Sequence, residues 1–211
     1  MAVQQSQQKK SYSVHVVPKK MTVYEKKQRF AYLVAPAINE VHEELMKQYA
    51  EVSRSVTDGI NSDLIEKLKQ RYNAKSEQDL LKALKPHPQS IGLAQAAMES
   101  AWGTSRFFRE ANNIFGVWSF DEDEPRIAAS KKRAGETIWV KKYSSIKASV
   151  KDYYRVLARG HAFDEFRNLR MKTSDPYRLV KKLDRYSEKG DAYGRELANM
   201  IRYNKFDEYD L

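Results

Sequence analysis

The chain has 211 residues and no cysteine, which excludes a disulfide scaffold, a thiolate metal site and cysteine catalysis. Apolar residues make up 41% and charged residues 31%, the balance of a globular chain with a core of its own rather than a disordered one. The formal net charge of +10 implies an anionic partner, whether nucleic acid, acidic lipid or an anionic polymer such as a bacterial cell wall, and charge alone does not choose among them.

In chain order, residues 1–24 read as a flexible basic segment rich in Gln, Ser and Lys. Met1 to Lys10 carries no apolar run of the secretory kind, so no signal peptide is visible there. From Phe30 the spacing turns helical: Phe30, Val34, Ile38, Val41, Leu45, Tyr49 and Val52 recur every three or four residues. Pro36 falls inside that run and is expected to kink or restart it, and Asp58-Gly59 ends it. Leu64, Ile65, Leu68 and Tyr72 predict a second amphipathic helix, and Ser76 with Asp79 predicts the start of a third through Leu80, Leu81 and Leu84. Residues 25–85 thus form a helical arm, and Lys85-Pro86-His87-Pro88 marks its boundary with a core domain at 86–211.

Pro88 suits the first turn of a helix that runs through Ile91, Leu93, Ala94, Ala97 and Met98 and stops near Gly103. Gly92, Ala94, Ala96, Ala97 and Ala101 let other elements approach closely, so this is expected to be the central buried helix. A short helix with Phe107 and Phe108 follows, capped by Thr104 or Ser105. Residues 126–143 then predict two strands around Lys131 to Gly135. Three helices complete the pattern, opened by Ser145, by Ser174-Asp175-Pro176 and by Asp191. The expectation is a mostly α, α+β fold of lysozyme-like layout with one small β-hairpin and an N-terminal helical arm.

No stretch reaches the ~18–20 uninterrupted apolar residues of a membrane span, so no integral membrane segment is expected. No glycine-rich phosphate loop, zinc-finger spacing or internal repeat is present, and no cofactor is expected. His15, His42, His87 and His161 have no metal-ligand partner at helical spacing, so they read as structural or exposed and no metal is expected.

The chemistry concentrates in Ala94-Gln-Ala-Ala-Met-Glu-Ser-Ala-Trp-Gly103. Glu99 falls in the last turn of an apolar helix, where burial and the negative end of the helix dipole both disfavour its ionised form. A carboxylic acid that keeps its proton near neutral pH is what protonation of a glycosidic oxygen requires. Gln95 and Trp102 are spaced to share its face, and an indole beside a carboxyl fits a sugar ring. By composition alone, a surface acid near a helix end is the blander alternative.

Gln95-Ala-Ala-Met-Glu99-Ser-Ala-Trp-Gly-Thr-Ser105, followed by Asn112-Asn113-Ile-Phe-Gly116-Val-Trp118, resembles the motif of the family 73 glycoside hydrolases, glucosaminidases that cleave bacterial peptidoglycan. The wider chain is most similar to the Bax-like branch of that family. That likeness includes the arm from about Glu25, the hairpin from Arg126 to Tyr143, Leu183-Asp-Arg-Tyr186-Ser-Glu-Lys-Gly190 and Met200-Ile-Arg-Tyr-Asn204. The resemblance implies an endo-acting β-N-acetylglucosaminidase that cuts cell-wall glycan strands without a cofactor. Glu99 falls on its catalytic acid and Tyr186 on its site tyrosine. Asn113, Phe115 and Gly116 fall on the loop that lines the glycan groove, and Gln95, Trp102 and Trp118 join them as substrate-binding candidates. The resemblance also implies action in the periplasm or cell envelope, with peptidoglycan rather than nucleic acid as partner.

One departure stands out. Many of these enzymes carry a second glutamate on the hairpin, and Arg126-Ile-Ala-Ala-Ser130 has none. Glu122 is the candidate replacement, although Asp121 to Glu124 reads most simply as a solvated acidic loop. The missing acid keeps a lytic transglycosylase and a wall-binding scaffold without turnover open as alternatives.

Overall fold

The computed structural model describes residues 11–60, 63–133 and 135–211, so residues 1–10 of the expected basic segment lie outside the described residues. It is mostly helical with one two-stranded antiparallel sheet. Helix α1 spans Val23–Thr57 and opens with a capping box: Glu25 N–H donates to the Thr22 hydroxyl, and Thr22 N–H to the Glu25 carboxylate. The helix runs on through Pro36, against expectation. The carbonyl that Pro36 cannot satisfy belongs to Tyr32, an exposed residue, so water can take the missing donor's place.

Two apolar clusters share α1. Phe30, Val34, Ile38 and Val41 lie in the main core, and Val52 packs with Ile65, Leu68, Leu80 and Leu84 of α2 (Asp63–Tyr72) and α3 (Glu77–Leu84). The first half of the expected arm is therefore built into the core.

The core is organised around α4 (Gln89–Glu99), in which Ser90 to Ala97 are all buried. Its small residues allow α1 and α9 (Asp191–Asn204) to pack closely on it. Pro88 offers no side-chain cap, and the Ser90 N–H is instead taken by the Asp210 carboxylate at 2.9 Å, so the far end of the chain closes the helix start. Ser105 caps the short α5 (Arg106–Ala111).

Strands β1 (Arg126–Arg133) and β2 (Glu136–Lys141) form the hairpin, with β1 running on past Lys131, and their register slips between Ala128 and Lys132. Helix α6 (Ile146–Arg159) starts at Ser145 and ends at Gly160 as predicted. The helix α7 (Asp164–Arg170) has no counterpart in the sequence reading. The segment opened by Asp175 is only a four-residue helix, α8 (Pro176–Leu179), continued by 3₁₀ turns at Val180–Lys182 and Asp184–Tyr186. No helix among the described residues is long and apolar enough to cross a membrane.

Candidate active site

Glu99 is the last residue of α4, and the chain then makes an unusual turn. Ala101, Trp102 and Gly103 all have positive φ, at 50°, 62° and 71°. For the two non-glycine residues this conformation costs about 1–2 kcal/mol each, so something must hold it. The Ser100 hydroxyl donates to Ala96 O at 2.6 Å and accepts from Gly103 N–H at 2.8 Å. From the other side the Arg29 guanidinium, 1% exposed, donates through Nη1 to Gly103 O at 2.8 Å. Its Nη2 donates to the carbonyls of Ser13 and Val14, at 2.6 and 3.1 Å. The part of the N-terminal segment expected to be flexible is thus tied, at Ser13 and Val14, to the turn that follows Glu99.

Glu99 is exposed, so its carboxyl can meet a substrate. One oxygen is nevertheless engaged: the Tyr193 hydroxyl donates to Oε1 at 2.8 Å. Behind it, Gln95 Nε2 donates to the Tyr193 hydroxyl at 3.0 Å, and the Tyr153 hydroxyl donates to Gln95 Oε1 at 2.6 Å. The result is a one-way chain, Tyr153 to Gln95 to Tyr193 to Glu99, in which all but the last member are buried. Partial burial, which removes water from the carboxylate, raises the Glu99 pKa above the ordinary carboxylate value; the Tyr193 hydrogen bond and the charge on Lys189 pull the other way without cancelling the effect. No ion pair to Glu99 is formed among the described residues.

Tyr186 stacks on Tyr193 with ring centroids 5.5 Å apart and planes 12° apart. Burial raises its pKa, and the neighbouring Glu99 charge raises it further, which places the phenol in the field of the carboxyl. Gly194 permits this arrangement. A Cβ there would come within 2.7 Å of Val180 O, so only glycine lets α9 approach the turn that leads to Tyr186.

The remaining site candidates divide. Gln95 is wholly buried with both amide atoms bonded, so it orients Tyr193 and cannot touch a ligand. Asn113, also buried, bonds Val117 N–H and the carbonyls of Val117 and Lys141, and so fixes the 113–117 loop against β2. Phe115 is buried and stacks on Tyr153 at 3.9 Å, supporting the hydrogen-bonded chain from below. Trp102 turns toward α1 and the C-terminal turn: it packs edge-on against Phe30, lies near Phe206 and has Lys27 over its ring at 5.2 Å. None of those neighbours belongs to the set around Glu99.

Gly116, at φ 66°, has open space where a Cβ would lie. Trp118 is 41% exposed beside Phe120, which is 84% exposed, and the two form an aromatic ledge next to the hairpin. The side chain of Glu122 is 89% exposed and paired with Arg126 at 3.2 Å, so nothing brings it to Glu99. Glu124, read as part of a solvated loop, is instead paired with Lys141 at 3.0 Å; Lys141 also lies 3.8 Å from Asp152, which accepts the Tyr143 hydroxyl at 2.7 Å.

Sequence reading missed Tyr193 and Tyr153. Both sit on the inner faces of amphipathic helices, and a buried tyrosine hydroxyl needs a partner. That requirement was the signal, but the partner comes from a helix far away in sequence.

A family model described as mannosyl-glycoprotein endo-beta-N-acetylglucosaminidase matches residues 75–206. The chain is similar to Protein bax of Escherichia coli (strain K12), with 31% identity over 124 residues, covering 56% of this chain and 43% of that protein. It is also similar to exo-glucosaminidase LytG of Bacillus subtilis (strain 168), with 27% identity over 137 residues, covering 57% of this chain and 45% of that protein. The chain therefore spans less than half the length of these curated relatives. Among solved structures it resembles the catalytic domain of the autolysin Auto from Listeria monocytogenes, with TM-score 0.49 and 22% identity over 76% of this chain and 97% of that one.

Proposed function

The chain belongs to the mannosyl-glycoprotein endo-beta-N-acetylglucosaminidase family, and on that premise we propose that it is a glycoside hydrolase that cuts the glycan strands of peptidoglycan. The observation that carries the reading is the Glu99 carboxyl, solvent-accessible, raised in pKa and held by one oxygen. Because Tyr193 donates to Oε1, the acidic proton belongs on Oε2. That oxygen is free to protonate the glycosidic oxygen as the bond to the anomeric carbon breaks. Tyr186, beside the carboxyl, is suited to stabilise the developing charge or position the N-acetyl group. The Trp118–Phe120 ledge offers sugar rings an apolar face.

Glu122 and Glu124 are each held by a cation, which favours a route in which the substrate's own acetamido oxygen attacks the anomeric carbon. A lytic transglycosylase would use the same acid, but the muramic acid C6 hydroxyl rather than water would close on the anomeric carbon and leave an anhydro end. Action on the wall would take place outside the cytoplasm, in the periplasm or cell envelope. The match begins at residue 75, and we assign residues 25–85 as an arm that braces the catalytic part through α1.

A zymogram against purified cell wall tests the reading: wild type clears the gel and Glu99→Gln does not. Equal clearing by both removes Glu99 from the mechanism. Mass spectrometry of the released fragments separates the enzymes: reducing N-acetylglucosamine ends mark the glucosaminidase, anhydromuramic ends the transglycosylase. Binding to sacculi with no release of fragments would leave only a scaffold.

A further inference from the structure

A cavity of about 250 Å³ opens between α1, α3, α6 and α7, away from the Glu99 network. Val41, Leu45, Leu84 and Ala158 supply an apolar part of its wall, the rest is polar, and its rim carries Arg71, Lys85 and Arg155. Arg155 is committed to Asp152, and Glu44, which also lines the cavity, is taken by Lys147 and Lys151. Arg71 and Lys85 form no ion pair among the described residues.

Arg170 completes the lining, and it is the unusual member. It is 2% exposed, and its Nη2 donates to Lys82 O at 2.6 Å. Its Nε–H is buried without an acceptor, and no carboxylate pairs with it among the described residues. The Tyr154 hydroxyl, in the same lining, is likewise buried without a partner. Burial, and after it repulsion from the neighbouring Arg167, pushes the Arg170 pKa down to about 9. Lys85 is lowered too, by burial and then by Arg170. Buried charges are normally paired; Arg167 has Asp164 as its partner, whereas Arg170 and the half-buried Lys85 beside the same cavity have no carboxylate paired with them among the described residues.

We propose that this cavity binds a carboxylate on a short aliphatic stem, with the anion between Arg170 and Lys85 and the stem against Leu45 and Leu84. The single buried guanidinium and the apolar strip of Val41, Leu45, Leu84 and Ala158 beside it suit a monoanionic carboxylate on an aliphatic stem better than a phosphate, which would leave that strip unused. Two sources present that chemistry: the C-terminus of a peptide, as in a cell-wall stem, and a free small carboxylic acid. The cavity is independent of Glu99, so the proposal stands or falls apart from the hydrolase reading.

Calorimetry and ¹⁵N NMR of the full chain, read at the arginine Nε–H signals, test it with three probes: N-acetyl-alanyl-alanine, its C-terminal amide, and butyrate. The free-acid dipeptide is expected to saturate and to move a protected Nε–H signal that is absent in Arg170→Lys, whereas the amide does neither. Lys85→Met, on the half-buried rim, is expected to weaken binding about tenfold with an unchanged melting temperature, as loss of one charge-assisted hydrogen bond does. Butyrate binding as tightly as the dipeptide marks a small-acid site, and weaker butyrate binding marks a peptide terminus. Equal binding of acid and amide, no saturation by either acid, or unchanged affinity in Lys85→Met overturns the proposal.

Discussion

The acids of the helical side and those of the hairpin side sit in opposite surroundings. Glu99 ends a buried helix, receives one neutral hydrogen bond and has no cation paired with it among the described residues, and partial burial holds its proton more tightly than in an ordinary carboxylate. Glu122 and Glu124 lie just before β1, and each faces a cation, Arg126 and Lys141. A carboxyl must be kept away from cations to serve as an acid, and a carboxylate already paired is poorly placed to serve as a base. The motif singles out Glu99 and leaves Glu122 only as a candidate second acid; the partners of each carboxyl supply a physical reason for the difference.

The sharpest way to break that contrast is Glu99→Gln. Fragment release from purified cell wall should fall by about 10²–10⁴-fold, the usual contribution of a positioned acid. The fold should survive. The ionised Glu99 is disfavoured in the folded state, so the native carboxyl contributes stability below the ordinary carboxylate pKa and loses it as pH rises through the raised value. Glu99→Gln should therefore flatten thermal stability across that window in a pH series of melting curves.

Tyr193→Phe comes next. It removes the hydrogen bond that lowers the Glu99 pKa, so the basic limb of the pH–rate profile should move to higher pH. Activity at the optimum should drop about tenfold, because Gln95 also loses its acceptor and no longer orients the site. An unmoved limb would show that the hydroxyl does not act on the carboxyl.

Arg29→Met leaves Gly103 O and the carbonyls of Ser13 and Val14 without their donor, and it should cost about 1–3 kcal/mol in denaturant unfolding. Turnover should fall more than KM changes, because the turn after Glu99 loosens. On the hairpin side the effects should shrink. Trp118→Ala, which trims an exposed ledge, should raise KM for glycan by about tenfold with little change in kcat, in line with the worth of an aromatic contact. Glu122→Gln should do least, leaving activity unchanged and stability within about 0.5 kcal/mol, as at other exposed sites. A large loss of activity from Glu122→Gln would reverse the contrast and make the hairpin acid the second catalytic group.

Much of the architecture was legible residue by residue. The apolar spacing of Phe30 to Val52 marked α1, the small residues of 92–101 marked the central helix, and Ser145 and Gly160 bracketed α6, because these signals are local and strong. Pro36 misled, since its cost depends on whether the orphaned carbonyl can reach water. Helix α7 was hidden because seven residues carry too little periodicity. Around Glu99, the expected substrate contacts find different surroundings. Gln95, Asn113 and Phe115 hold the site from within rather than lining it, and Trp102 faces α1.

By itself, the sequence determined the composition of the core, the capped helices, the family motif and the place of Glu99 at the end of its helix. Each depends on neighbours a few residues away. Only the tertiary structure decided which carboxyl stays unpaired, which tyrosine holds it and which arginine clamps its turn. Those contacts join residues 74 to 98 positions apart, and their energies come from the burial and partner geometry that folding creates.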